Sequence, residues 1–345
     1  MRKQQHWSAG SIGKDTGRHF SAAVPMYLGI EIGGTKLQIG AGQGDGTVAA
    51  LWRAQVDVAS GAEGIRRQLV AGFGHILNQM RTSATCFRAV GIGFGGPVDD
   101  ATRRVIKSHQ IHGWDDFPLA DWVGEALGLP AVLGNDADVA GLAEALFGAG
   151  KGFSPVFYIT VGTGIGGGFI LDGRIYRGVG RGASEIGHLQ VQTEDGPSIV
   201  EHCASGWGLV RVAQQRLARG EGQDSLVVRA NPDHRRLTAE AIAKAAEEGD
   251  DFARSVLDAG LRRLAEGICH VIALLCPRRI VVGGGVSLMG EKLFFEPLRR
   301  FVSERVFAPF ADCYEIVPAQ LGEAVVVHGA LALAAQTTEC GPALP

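Results

Sequence analysis

Gly29-Ile-Glu-Ile-Gly-Gly-Thr-Lys-Leu-Gln-Ile-Gly40 and Tyr158-Ile-Thr-Val-Gly-Thr-Gly-Ile-Gly-Gly-Gly-Phe-Ile-Leu-Asp-Gly173 decide how this chain reads. Each is an apolar run, a glycine/threonine turn and a second apolar run. That pattern predicts a strand, a tight turn and a returning strand, with backbone N–H groups at the turn open to an anion because no side chain stands in the way. Asn135-Asp136 lies between the two copies. A duplicated phosphate clasp with a carboxylate between its halves points to phosphoryl transfer.

Outward from these turns, the pattern predicts strands at Tyr27–Ile32, Leu37–Gly42 and Val48–Val58, then a helix over Ala62–Met80. A buried strand at Arg88–Phe94 is followed by a helix at Leu119–Leu127, a strand at Pro130–Leu133 and a helix at Ala137–Phe147 with Asn135-Asp136 at its mouth. Polar residues at a helix mouth also read as plain caps. The second half repeats the plan with strands at Val156–Val161, Gly166–Leu171 and Arg174–Tyr176. Helices are expected over Leu209–Leu217 and Ala239–Cys276, a strand at Arg279–Val282 and a closing helix at Val325–Ala335. Strand-rich openings followed by helices, twice, imply two α/β lobes with a ligand cleft between them. The expected division is a disordered leader or over-called start over 1–25, one lobe from 26–135 plus 325–338, and a second from 136–324.

Composition narrows the classes. The chain has 345 residues, 46% hydrophobic and 20% charged, with net charge −3, which supports a folded core and gives no general attraction to nucleic acid or anionic membrane. Apolar runs such as Val271–Cys276 stop at Pro277, so no membrane span is expected. Six scattered cysteines without a Cys-x-x-Cys pair suit a reducing cytoplasm. Gly91–Gly96 and Gly162–Gly167 have dinucleotide-fingerprint spacing, but the first meets Pro97 and the second runs into a strand, where that fingerprint requires a helix start. No Walker A loop occurs, which leaves a paired-hairpin phosphate site.

In order along the chain, six motifs resemble those of the ROK (repressor, open reading frame, kinase) family of the actin-like ATPase and sugar kinase group. They are Glu31-Ile-Gly-Gly-Thr-Lys36, Gly91-Ile-Gly-Phe-Gly-Gly-Pro-Val-Asp99, Gly134-Asn-Asp-Ala-Asp138, Val161-Gly-Thr-Gly-Ile-Gly-Gly-Gly168, Glu185-Ile-Gly-His188 and Ile280-Val-Val-Gly-Gly-Gly-Val-Ser287. The resemblance implies a two-lobed actin-like (ribonuclease H-like) fold and an ATP-dependent hexose kinase, glucose O6 being the default acceptor. Asp136 would be the general base, and an aspartate at its ordinary pKa of about 3.9 would be ionised without special tuning. The resemblance gives Gly96, Gln110, Asn135, Glu185, His188 and Glu201 to the sugar. It gives Glu31, Gly33, Gly34, Thr35, Lys36, Gly162, Thr163, Gly164, Gly283, Gly284 and Gly285 to ATP, with Mg²⁺ accompanying the nucleotide near Glu31. A homodimer is expected.

Three departures from the family stand out. Glu31 replaces an aspartate, and Asp138 an asparagine. The family's cysteine-rich zinc motif is missing from Leu189–Glu201, so no zinc is expected, since a structural site needs about four Cys/His ligands. These departures motivate a second reading, a sugar-binding regulator or degenerate kinase; kinases for N-acetylmannosamine, N-acetylglucosamine or fructose are further alternatives. Direct DNA binding is not expected, because 26 residues ahead of Tyr27 leave no room for a helix-turn-helix domain.

Overall fold

The alternation of Leu28, Ile30 and Ile32 with Gly29 and Glu31 gives the first strand one apolar face and one almost bare face, and each face receives a helix. The computed structural model describes residues 24–108, 111–230 and 233–339. β1 (Met26–Ile32), β2 (Lys36–Gly42) and β3 (Ala50–Gln55) form an antiparallel meander. After α1 (Gly61–Met80), β4 (Phe87–Phe94) runs parallel to β1; the hairpin β5 (Val98–Asp99) and β6 (Arg104–Val105) then leads to α2 (Leu119–Leu127) and to β7 (Ala131–Asn135), which is parallel to β4. The sheet order is β3-β2-β1-β4-β7. α3 (Asp136–Phe147) follows at once.

The second half uses the same plan. β8 (Val156–Val161), β9 (Ile165–Leu171) and β10 (Arg174–Ile175) form the meander. A hairpin of β11 (Gln190–Thr193) and β12 (Gly196–Ile199) then leads into a helical block: α4 (Val200–Ala204), α5 (Gly206–Ala218), α6 (Leu226–Ala230), α7 (Ala239–Glu247) and α8 (Asp251–Leu275). β13 (Arg279–Gly283) pairs parallel to β8, and after α9 (Glu296–Ser303) β14 (Glu315–Pro318) pairs parallel to β13. The order β10-β9-β8-β13-β14 repeats that of the first sheet. α10 (Val325–Glu339) closes the described chain, and among the described residues no helix is long and apolar enough to cross a membrane.

Helix α10 packs on β1, β2 and β4, α3 packs on β8 and β9, and the two helices pack on each other. Glycine makes these approaches possible. A Cβ on Gly91 would lie 1.9 Å from the Ala330 carbonyl oxygen, and one on Gly329 would lie 1.8 Å from that of Val139. The Gly91–Gly96 run thus owes at least one of its glycines to clearance for α10.

Several expected boundaries move. The stretch Ala239–Cys276 is two helices, because Gly249 takes a left-handed φ of 99° and Asp250 caps α8, accepting from Ala253 N at 2.7 Å. Asp250 also accepts from Leu226 N at 2.7 Å, so the break holds α6 in place. β3 is shorter than expected, β7 runs on to Asn135, and β14 and the β11–β12 hairpin are additions. The expected leader over 1–25 lies outside the described residues except for residues 24 and 25.

Near the C-terminal end of α3, fully buried Glu144 accepts three backbone hydrogen bonds, from Ala149 N at 2.8 Å, Gln320 N at 2.9 Å and Leu321 N at 2.8 Å. It ties α3 to the segment that enters α10. Removing the carboxylate strands three buried donors, so Glu144→Ala is expected to lower stability by about 3 kcal/mol or more. Urea unfolding checks this, and an unchanged midpoint would refute the role.

Candidate active site

The carboxyl ends of β1, β4, β7, β8 and β13 carry the residues singled out by sequence, as open parallel sheets require of a ligand site. At the end of β1 the turn Gly33-Gly34-Thr35 closes with Gly33 N donating to Lys36 O at 3.0 Å, and Thr35 is exposed. Buried Glu31 lies beneath it. One oxygen pairs with Lys36 Nζ at 3.2 Å and the other accepts from Gln38 Nε2. Lys36 Nζ and Gln38 Nε2 also reach the Glu323 carbonyl, at 3.0 and 2.9 Å. Burial pushes the Glu31 carboxyl above its ordinary range, and Lys36 and Gln38 pull it back.

The second turn, Gly162-Thr163-Gly164, closes through Gly162 N to Gly164 O at 2.9 Å. Its neighbours come from three segments. Gly206 N donates to Gly162 O at 2.8 Å, Glu201 accepts from Ile165 N at 2.8 Å, and Gly284, at φ 88°, would place a Cβ 2.5 Å from Val161 O. The Gly283-Gly284-Gly285 loop therefore presses on the base of this hairpin, while Cβ atoms on Gly162 and Gly285 would meet nothing within 4 Å. The arrangement gives an open, amide-rich surface fit for phosphate oxygens.

Asn135 and Asp136 occupy the junction of β7 and α3. Asn135 Oδ1 caps the helix, accepting from Ala137 N at 2.9 Å, and Nδ2 donates to Gly96 O at 3.0 Å. Capping is thus one of its two tasks, and fixing the Gly96 segment is the other. Asp136 Oδ1 accepts from Ala137 N at 2.8 Å; Oδ2 faces Gly95, 3.3 Å from where a Cβ would stand there, and that same point lies 3.5 Å from Gly33 Cα. The carboxylate therefore sits under the first phosphate turn. Burial pushes its pKa up to about 7, with Glu31 and Glu185 adding to the rise and the Ala137 amide opposing it. The expectation of an untuned aspartate is overturned, because sequence gives no sign of the burial or of the two converging carboxylates.

Glu185 and His188 are exposed on a loop whose middle, Ile186-Gly187, is buried. Glu185 is pushed upward by its local desolvation and by Glu201, and His188 pulls it back. Glu185, His188 and Glu201 thus interact, while Glu185 also acts on Asp136. Gln110 lies outside the described residues. Where the family's zinc motif would fall, the chain forms the β11–β12 hairpin. Past it, Cys203 is buried in the core and His202 packs its ring on Trp207 at 5.0 Å. Among the described residues no group of three His, Cys, Asp or Glu is arranged to hold a metal ion.

Sequence reasoning missed Gln38 and Glu323 around Glu31, and Arg177 beside Asp138. Only the amphipathic positions of the hairpin hinted at Gln38; the others come from distant segments and left no local signal.

A family model described as the ROK family matches residues 27–337, and the chain belongs to that family. It is 32% identical over 310 residues to the glucokinase of Halalkalibacterium halodurans, covering 88% of this chain and 93% of that protein. The ROK family glucokinase of Streptomyces griseus, solved with glucose and AMPPNP, superposes with a TM-score of 0.72 at 32% identity, covering 90% of this chain and 99% of that one. The ROK hexokinase of Thermus thermophilus gives 0.76 at 26% identity, covering 92% and 100%. The fold is the two-lobed actin-like ATPase fold with its phosphate hairpin present twice.

The raised Asp136 carboxyl has a stability consequence. Below about pH 4 it is protonated in folded and unfolded chains alike. Between there and about pH 7 the unfolded chain ionises first, so the Asp136 contribution to stability falls as pH rises. Asp136→Asn is therefore expected to be more stable than wild type by about 1–3 kcal/mol at pH 8, with the difference vanishing near pH 4. Urea midpoints at the two pH values check the sign; an equal difference at both would rule out the titration of Asp136.

Proposed function

We propose that this chain is an ATP-dependent hexose kinase that transfers the γ-phosphoryl group of ATP to a sugar hydroxyl, glucose O6 first, with Asp136 as the general base. The observation that carries the reading is the position of the Asp136 carboxylate, below the first glycine turn, at the mouth of α3 and within electrostatic reach of Glu185. Family membership and the likeness to the Halalkalibacterium halodurans and Streptomyces griseus glucokinases support the activity class.

Each step follows from named groups. Glu185, His188, Asn135 and the Gly96 segment would hold the sugar, with Glu201 behind them. The acceptor hydroxyl donates its proton to Asp136 as its oxygen attacks phosphorus in line with the departing ADP. A base with a pKa of about 7 suits a loose transition state, where the proton leaves late and most of the acceleration comes from alignment and charge stabilisation. The amides of the Gly33–Thr35 and Gly162–Gly164 turns would grip phosphate oxygens, and Gly283–Gly285 would border the nucleoside.

Glu31, Asp136 and Glu185 bring negative charge to a site that must accept a polyphosphate. Lys36 offsets part of it, and a Mg²⁺ ion accompanying ATP would supply the rest. The same reading carries a homodimer and a cytoplasmic location.

Mixed with ATP, Mg²⁺ and a panel of glucose, N-acetylmannosamine, N-acetylglucosamine and fructose, the protein is expected to release ADP with glucose fastest. Asp136→Ala should lower kcat by about 10³-fold or more while leaving the fold intact. The acid limb of kcat/KM should fall near pH 7 because the base works only when deprotonated. Sugar binding by calorimetry with no ADP from any hexose would replace this reading with the non-catalytic binder.

A further inference from the structure

The loop between β10 and β11 bridges the two halves of the molecule next to the sugar side of the site. Arg177, about a quarter exposed, forms an ion pair with Asp100, and its guanidinium reaches within 4.0 Å of the place a Cβ would take on Gly134, the residue before Asn135. Arg181 Nε pairs with Asp99 Oδ2 at 3.2 Å, and Asp100 N donates to Gly180 O at 2.8 Å. Gly178, Gly180 and Gly182 take positive φ values of 54°, 91° and 90°, which folds the loop back onto the Asp99-Asp100 turn.

Asp138 lies behind this bridge on the first turn of α3. It is 4% exposed, and its Oδ1 has no hydrogen-bond partner among the described residues. Arg177 is the positive charge that opposes its burial, whereas Asp100, Glu185 and Asp136 all repel it. Burial and these carboxyls push the Asp138 pKa up to about 8, so near neutrality it stays largely protonated.

We propose that Arg177 is a positioning residue whose ion pair with Asp100 holds the Gly96–Asp100 segment in register with the Asn135-Asp136 mouth of α3. The inference rests on the kinase reading and extends it to residues outside the site motifs. The mechanical link is short. Gly96 O accepts from Asn135 Nδ2, Asp100 lies four residues beyond Gly96, and Asp138 lies two residues beyond Asp136. Loss of Arg177 leaves the largely buried Asp100 carboxylate without its counter-charge, which loosens the sugar side. The Gly162–Gly164 turn and the Gly283–Gly285 loop have no part in the network, so the nucleotide side is spared.

Steady-state kinetics on the full chain, varying hexose and ATP separately, tests this with Arg177→Met, Arg177→Lys, Asp100→Asn and the double variant Arg177→Met/Asp100→Asn. Arg177→Met is expected to raise the hexose KM about tenfold or more while the ATP KM stays within about twofold, and Arg177→Lys to recover part of the loss. In the double variant the uncompensated carboxylate is gone, so the hexose KM should return to within about threefold of wild type. Additive losses in the double variant, or equal rises in both KM values that track a falling Tm, would overturn the proposal. If wild type phosphorylates no hexose, the kinase reading fails by itself. Calorimetric sugar binding then reads the clasp, and binding unchanged in Arg177→Met would overturn it.

Discussion

Backbone-to-backbone contact between α3 and α10 is the constraint on which the rest of the molecule depends. Each helix lies on one sheet, and they meet where Gly329 passes the Val139 carbonyl with no room for a Cβ. Because α3 starts at Asn135-Asp136, that contact sets how far the mouth of α3 stands from the turn of β1 and β2. The segment before α10 is fastened to α3 by Glu144 and to the first hairpin by Lys36 and Gln38 through Glu323. One helix pair thereby connects both phosphate hairpins to the proposed base.

Charge is the second constraint, and it opposes the first. Packing the sheets closely buries carboxylates that would ionise freely in water, and the lowered local dielectric raises the pKa of Glu31, Asp136 and Asp138. A site of this kind favours ligands that bring hydrogen-bond donors and counter-charge.

Much of this was legible in the sequence, for physical reasons that differ between elements. The hairpins were readable because their turns need glycine and their strands need alternating apolar residues, both local requirements. The junction at Asn135-Asp136 was readable because capping chemistry marks a helix start. The break at Gly249-Asp250 carries local capping signals too, yet the apolar periodicity on either side concealed it. Burial was not readable: nothing near Asp136 announces that Glu31 and Glu185 converge on it. The β14 strand was missed because Glu315–Pro318 is short and ends in proline, and it is a strand only by virtue of its pairing with β13.

The two single-residue departures from the family pattern are physically unlike. Glu31 has a longer stem than aspartate, and the hairpin absorbs it: one oxygen meets Lys36 and the other Gln38, both on the facing strand, so the extra methylene is balanced within seven residues of sequence. Asp138 has no comparable local partner. Burial pushes its pKa up to about 8, and the charge that opposes this, Arg177, stands thirty-nine positions away on a loop whose ion pair goes to Asp100. Lys36 and Gln38 also hold the Glu323 carbonyl, so the surroundings of Glu31 reach the segment before α10, whereas the Arg177–Asp100 pair ties the β10–β11 loop to the turn after Gly96. Both departures therefore stand beside contacts between distant segments, Glu31 at the turn of β1 and β2 and Asp138 next to the Asn135-Asp136 junction.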